Sequence, residues 1–153
     1  MRNDEFFMRE ALRLASKAAK KGEVPVGAVV VADGKIIGKG YNKREKSKNA
    51  LLHAEMIAID KACRKKGGWR LFGTTMYVSL EPCPMCAGAA MNARIDKIVY
   101  GAKDEKFGAI ESVVSLYEHS FNHKPETVGG VLEEESVALL KSFFKSLRER
   151  NKK

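Results

Sequence analysis

Whatever fold this chain takes, it has to bring together two short segments thirty residues apart: His53-Ala54-Glu55 and Pro82-Cys83-Pro84-Met85-Cys86. Between them they offer one imidazole, two thiols and a carboxylate. An imidazole and two thiolates are three of the four donors of a tetrahedral zinc. A catalytic zinc keeps its fourth position for water, which then ionises near neutral pH. A carboxylate two residues from the histidine is unnecessary for holding the metal and is what moving a proton requires. The pattern predicts hydrolytic chemistry at one zinc per chain, with His53, Cys83 and Cys86 as ligands and Glu55 as proton shuttle. Each half alone is weak. A lone Cys-x-x-Cys reads as a redox dithiol or half of a structural zinc knot, and His-x-Glu arises by chance. Only the conjunction is specific.

A fourth protein ligand would make the site structural. Cys63 is too far, because ten residues of helix separate it from His53 by roughly 15 Å. His119 and His123 stay open as ligands at this level. Cys63 itself sits in an apolar helical pattern and is expected to be a buried, inert thiol. Three cysteines, two of them assigned, are not a disulfide framework and point to a reducing compartment, hence the cytoplasm. No apolar stretch is long enough to span a bilayer, and the first residues read as an amphipathic helix rather than a signal core.

The elements around the two segments alternate without a linker or repeat. A helix is expected from Asp4 to Lys21, with Phe7, Ala11, Leu14, Ala15 and Ala18 on one face. Strands are expected at Val26–Ala32 and Lys35–Asn42, joined by the two-residue turn Asp33-Gly34. A polar, basic loop (Lys43–Leu52) leads to a helix from His53 to Lys66. A strand at Thr74–Leu80 precedes a helix opened by Pro84, since proline is well tolerated in a first turn. A strand at Lys97–Gly101, a short helix near Ile110–Glu118, a strand at Val128–Leu132 and a helix from Glu133 to Glu149 complete the order. The alternation predicts one α/β domain over 1–153, a mixed five-stranded sheet in a three-layer α-β-α arrangement. Each metal segment would then leave the same sheet edge and open a helix, where the dipole favours thiolate. Spacing alone does not show whether Glu55 leans over the metal.

Charge suggests the partner. The 153 residues carry 28 Lys and Arg against 19 Asp and Glu, a net +9. Lys141, Lys145, Arg148, Arg150, Lys152 and Lys153 face the single acid Glu149 near the end, and positions 141, 145 and 148 share a helix face. Such an excess favours a polyanion over the bland alternative of general solubility.

Longer motifs carry a resemblance over nearly the whole chain: Gly22-Glu23-Val24-Pro25-Val26-Gly27-Ala28, Asn42, His53-Ala54-Glu55, Tyr77 through Cys86, Arg94-Ile95, Tyr100-Gly101-Ala102-Lys103-Asp104, Lys106, Asn122-His123 and Phe143-Phe144. In these it resembles the bacterial tRNA-specific adenosine deaminases of the TadA type, within the cytidine deaminase-like superfamily. One departure is Asn49-Ala50-Leu51-Leu52, where the family often has an Asp-Pro-Thr-Ala-like run. The resemblance implies deamination of adenosine to inosine at the wobble position of a tRNA anticodon, that of an arginine tRNA, by a homodimer. It further implies substrate contacts from Asn42, Ala54, Lys103, Asp104, Lys106 and Phe144. Without it, Asn42 would be a turn residue, the 103–106 charges a solvated run, and Phe144 as readily a core contact. Two rivals stand beside this reading. One is a zinc deaminase of a free base or nucleoside such as guanine or cytosine, which would not need the basic tail. The other is a non-catalytic zinc module, which would have no use for Glu55.

Overall fold

A computed structural model describes residues 3–152; Lys153, counted above in the basic tail, lies outside them. Its elements are α1 (Asp4–Lys20), β1 (Gly27–Ala32), β2 (Lys35–Tyr41), α2 (Arg44–Ser47), α3 (Ala54–Lys66), β3 (Thr74–Leu80), α4 (Pro84–Asn92), β4 (Lys97–Ala102), β5 (Glu126–Val128) and α5 (Glu133–Asn151). The strands form one sheet in the order β2-β1-β3-β4-β5. β1 runs antiparallel to both β2 and β3, whereas β3, β4 and β5 are parallel. β2 therefore points the same way as β3, and both carry their C-terminal ends to one edge.

Two cores flank the sheet, because successive side chains of a strand face opposite ways. Ala28, Val30, Met76, Val78 and Ile98 pack against α3 and α4 on one face. Val29, Val31, Tyr77 and Val99 pack against Phe7, Met8, Ala11 and Leu14 of α1 on the other. α1 also contacts α5, and the three layers expected from the sequence are present. The predicted turn forms with Asp33 and Gly34 both at positive φ (50° and 73°), the geometry that suits a tight hairpin.

The seat of α3 depends on two glycines of β2. A Cβ at Gly38 would lie 2.2 Å from Ala58 O, and one at Gly40 would lie 2.3 Å from Ala54 O. Their lack of a side chain lets the helix backbone rest directly on the strand, and this sets the height of His53 and Glu55 above the sheet.

Four local expectations are corrected. The loop at 43–52 contains the helical turn α2, because the buried Glu23 carboxylate accepts the Glu45 and Lys46 N–H groups (3.1 and 2.9 Å) that begin it. No α-helix forms over 110–118. The amides of Ile110, Glu111 and Ser112 donate to Glu81 instead, leaving turns and a 3₁₀ turn at Leu116–Glu118. The last strand lies at Glu126–Val128 rather than 128–132, since only there does the chain pair with Lys97–Val99; Val131 and Leu132 pack against the α1 core instead. Cys63 is half-buried rather than buried, its Sγ 3.9 Å from Trp69 O, and partial burial holds its thiol pKa up.

Candidate metal centre and substrate pocket

Both ligand segments sit where helices begin at the shared sheet edge. His53 is the N-cap of α3, Cys83 is the N-cap of α4, and Pro84 occupies the first turn of α4 with Cys86 two positions on. His53 Nδ1 lies 3.8 Å from Cys83 Sγ and 3.6 Å from Cys86 Sγ. A tetrahedron with zinc–sulfur bonds of about 2.3 Å and a zinc–nitrogen bond near 2.0 Å has N···S edges of about 3.5 Å. Donor types and spacing therefore both fit zinc. Among the described residues, these three form the one group of His, Cys, Asp or Glu atoms placed to share a metal ion. His119 is exposed, near Phe121, and His123 Nε2 meets Ile95 O at 2.8 Å, so neither supplies a fourth ligand.

Glu55 is the second residue of α3 and 4% exposed. Its carboxyl is close enough to His53, Cys83 and Cys86 to feel all three electrostatically, and it lines one cavity with His53 and Cys83, which answers what spacing left open: the side chain is turned toward the ligand cluster. Burial pushes its pKa up to about 7. The thiols divide unequally. A hydrogen bond from Cys86 draws Cys83 down to about 4, while the same contact and burial push Cys86 up. His53 is raised, first by its hydrogen bond with Cys83. One ready thiolate beside an imidazole and a second thiol is a ligand set that sheds protons as metal binds.

A cavity of about 830 Å³ opens above this cluster, with His53, Glu55, Cys83 and Asn42 at its base. Asn42 is buried and doubly held. Its Oδ1 accepts from Ala54 N (2.8 Å) and its Nδ2 donates to Val24 O (3.1 Å). Ala54 is fully buried, with its N–H committed to Asn42. Lys103, Asp104, Lys106 and Phe144 all reach the rim of the same cavity. Lys103 pairs with Glu111 (3.1 Å), and Asp104 Oδ1 accepts from the N–H groups of Lys106 and Phe107. Phe143 is buried, whereas Phe144 is 40% exposed and turned toward the opening. A neighbouring groove floored by Leu140 and Phe144 carries Lys141, Lys145 and Arg148, so the basic face of α5 continues into the rim.

Arg44 and Phe107 also line this cavity and were not anticipated from sequence; a phenylalanine beside Lys106 was the available signal. Ala50 and Leu51, in the segment that departs from the family pattern, line it too; Leu51 is 57% exposed and its N–H donates to Asn49 Oδ1.

Residues 1–102 match the model of the cytidine and deoxycytidylate deaminase zinc-binding region. The chain is 50% identical over 153 residues to a tRNA-specific adenosine deaminase of Bacillus subtilis, covering 99% of this chain and 95% of that one. A solved structure from work on A-to-I editing by tRNA:A34 deaminases at the wobble position superposes with a TM-score of 0.86 at 42% identity. The match covers 88% of this chain and 99% of that one. A guanine deaminase from Nitrosomonas europaea shares the fold at a TM-score of 0.82 and 21% identity, over 94% and 85% of the two chains.

Proposed function

The chain belongs to the family of zinc-binding cytidine and deoxycytidylate deaminases, and we infer that it hydrolyses adenosine to inosine and ammonia at the wobble position of a tRNA anticodon. The observation that carries the reading is the buried Glu55 carboxylate set against the His53–Cys83–Cys86 cluster, at the base of a cavity whose rim is basic and aromatic. The full-length relative at 50% identity, a tRNA-specific adenosine deaminase, supplies the substrate class.

His53 Nδ1 and the Cys83 and Cys86 thiolates would hold zinc. When bound, the metal supplies Lewis acidity that turns water into a nucleophile at neutral pH. Glu55 takes the proton of the attacking water, passes it to the ring nitrogen beside the amino-bearing carbon, and then assists departure of ammonia. Its burial keeps competing solvent away and its pKa near the working pH, where a group can both accept and return a proton. Asn42 spends one N–H and one lone pair on the protein, leaving one of each for the target nucleoside. Ala54 acts through its link to Asn42, Phe144 offers a face on which a displaced base can stack, and Lys103, Asp104 and Lys106 address the flanking RNA. The base must leave its stack to reach Glu55, which an anticodon loop permits at lower cost than a duplex.

An arginine tRNA, a homodimer and the cytoplasm complete the reading. The first two rest on the family resemblance, the third on cysteine usage. Exposed Trp69 and Phe72 offer apolar surface for a second copy, and three free cysteines suit a reducing compartment. Among the described residues no helix is long and apolar enough to cross a membrane. One domain over 1–153 fits the single continuous sheet. The deciding experiment is incubation with bulk tRNA followed by inosine mapping. Inosine at one wobble position is expected. Turnover of free guanine or cytosine with no inosine in any tRNA would replace this reading with the free-base alternative.

A further inference from the structure

Two residues before Cys83 lies a carboxylate that the proton chemistry does not use. Glu81 is 2% exposed. Its Oε1 accepts from Asp104 N (3.1 Å) and from the Ser112 hydroxyl, and its Oε2 accepts from the N–H groups of Ile110, Glu111 and Ser112 (3.1, 2.8 and 3.0 Å). The backbone on either side is tied as well: Glu81 N donates to Ala102 O at the end of β4 (2.8 Å), and Ala109 N of the clamped segment donates to Pro82 O (2.9 Å). The approach is so close that a Cβ at Gly108 would lie 2.4 Å from Glu81 Cδ and Oε2. A second tie closes the far side, where Tyr100 donates to Glu111 Oε2 (2.6 Å) and Lys103 pairs with Glu111 Oε1.

A buried carboxylate without partners is costly, so the 104–112 segment is held closed over Glu81 by the charge itself. That segment, with Lys103, carries the rim residues Asp104, Lys106 and Phe107. The same Glu81 follows the strand that delivers Cys83. One side chain thus fixes the distance between the metal segment and the rim.

We propose that Glu81 is a positioning residue for the RNA substrate: by clamping the 104–112 segment it holds Lys103, Asp104, Lys106 and Phe107 in the arrangement that receives the anticodon loop. This role rests on the substrate reading given above. A loop already ordered costs less entropy to bind against, so removal of the clamp shows in substrate capture rather than in the chemical step. The close contacts of the three ligands and the hydrogen bonds of Asn42 run to other partners, and Glu55 is seated on α3, so these groups keep their own anchors.

The test uses the full-length zinc-loaded enzyme carrying Glu81→Gln, whose amide turns an N–H toward the converging donors. Three quantities are read: zinc per chain, amide hydrogen exchange over 104–112, and steady-state kinetics on an anticodon stem-loop RNA. Expected are full zinc content, exchange in 104–112 faster by at least about tenfold, KM raised about tenfold, and kcat lowered less than about threefold. An unchanged KM with faster exchange would overturn the role. So would loss of zinc with an equal fall in kcat and kcat/KM, which would tie Glu81 to the metal segment alone. If Glu81→Gln does not fold, Ser112→Ala decides, since it removes one hydroxyl bond: a KM rise of about threefold supports the clamp and an unmoved KM ends it. Absence of inosine from the parent enzyme would overturn the substrate reading and this role with it. Turnover by the parent with an unmoved KM in the variant overturns the role alone.

Discussion

Asn42 Oδ1 accepts a 2.8 Å hydrogen bond from the backbone N–H of Ala54, joining the end of β2 to the first turn of the helix that carries Glu55. Asn42 is therefore a strut as well as a pocket residue. Asn42→Ala leaves Ala54 N–H and Val24 O without their partner, at a cost of about 1–3 kcal/mol. A melting temperature lowered by several degrees is expected, together with slower deamination of full tRNA and minimal stem-loop alike. Calorimetry and initial rates check this. A lowered melting point with parental kcat and KM would confine Asn42 to the strut.

Glu55 and Cys86 are electrostatic neighbours, and the roles proposed for them are separable. Glu55→Gln is expected to keep one zinc per chain and the parental fold while losing about 10²–10⁴-fold in rate, the usual contribution of a general acid–base group. Cys86→Ala is expected to lose the metal itself. Elemental analysis beside single-turnover rates distinguishes the two, and near-parental activity in the Gln variant would dismiss Glu55 as the shuttle.

The approach of Gly40 to Ala54 O makes a sharp structural prediction. Gly40→Ala pushes the start of α3 off the sheet, and overpacking of this kind costs about 1–3 kcal/mol or more. Because the displaced turn begins at His53, zinc affinity is expected to fall along with stability. Denaturation midpoints and metal titration read both. A variant as stable as the parent would mean that the helix can ride higher at no cost.

The basic face of α5 supplies a test free of the metal. Lys141, Lys145 and Arg148 line the groove that runs into the rim at Phe144. Changing all three to Gln is expected to weaken tRNA binding and flatten its salt dependence, by roughly 0.7–0.9 in the log–log slope for each phosphate no longer neutralised. Zinc content should hold, and kcat at saturating RNA should fall less than affinity does. A salt slope equal to the parent's would make this face a solvated one.

Much of the fold was legible because local pattern and burial agree. The α1 stripe, the Asp33-Gly34 turn and the helix starts at His53 and Cys83 each follow from spacing and turn chemistry over a few residues. Two of the elements that read wrongly are ones whose amides are claimed by a distant carboxylate. Glu23 builds a helical turn at 44–47 from twenty-odd residues away, and Glu81 dissolves the expected helix at 110–118 from about thirty.

Residue type and spacing were enough to pick out the His53, Cys83 and Cys86 donors that the fold brings together, the carboxylate beside them, and the helix starts that carry them to one sheet edge. They suffice there because ligand demands are local. Packing in three dimensions was needed to establish that Glu55 is buried in the same cavity as the ligand cluster, that neither candidate histidine fills a fourth position, that Asn42 braces α3, and that Phe144 rather than Phe143 faces the cavity. Each of these depends on which face of an element meets which neighbour. That choice is made where helices settle on the sheet, and the bare backbones of Gly38 and Gly40 set the height of α3.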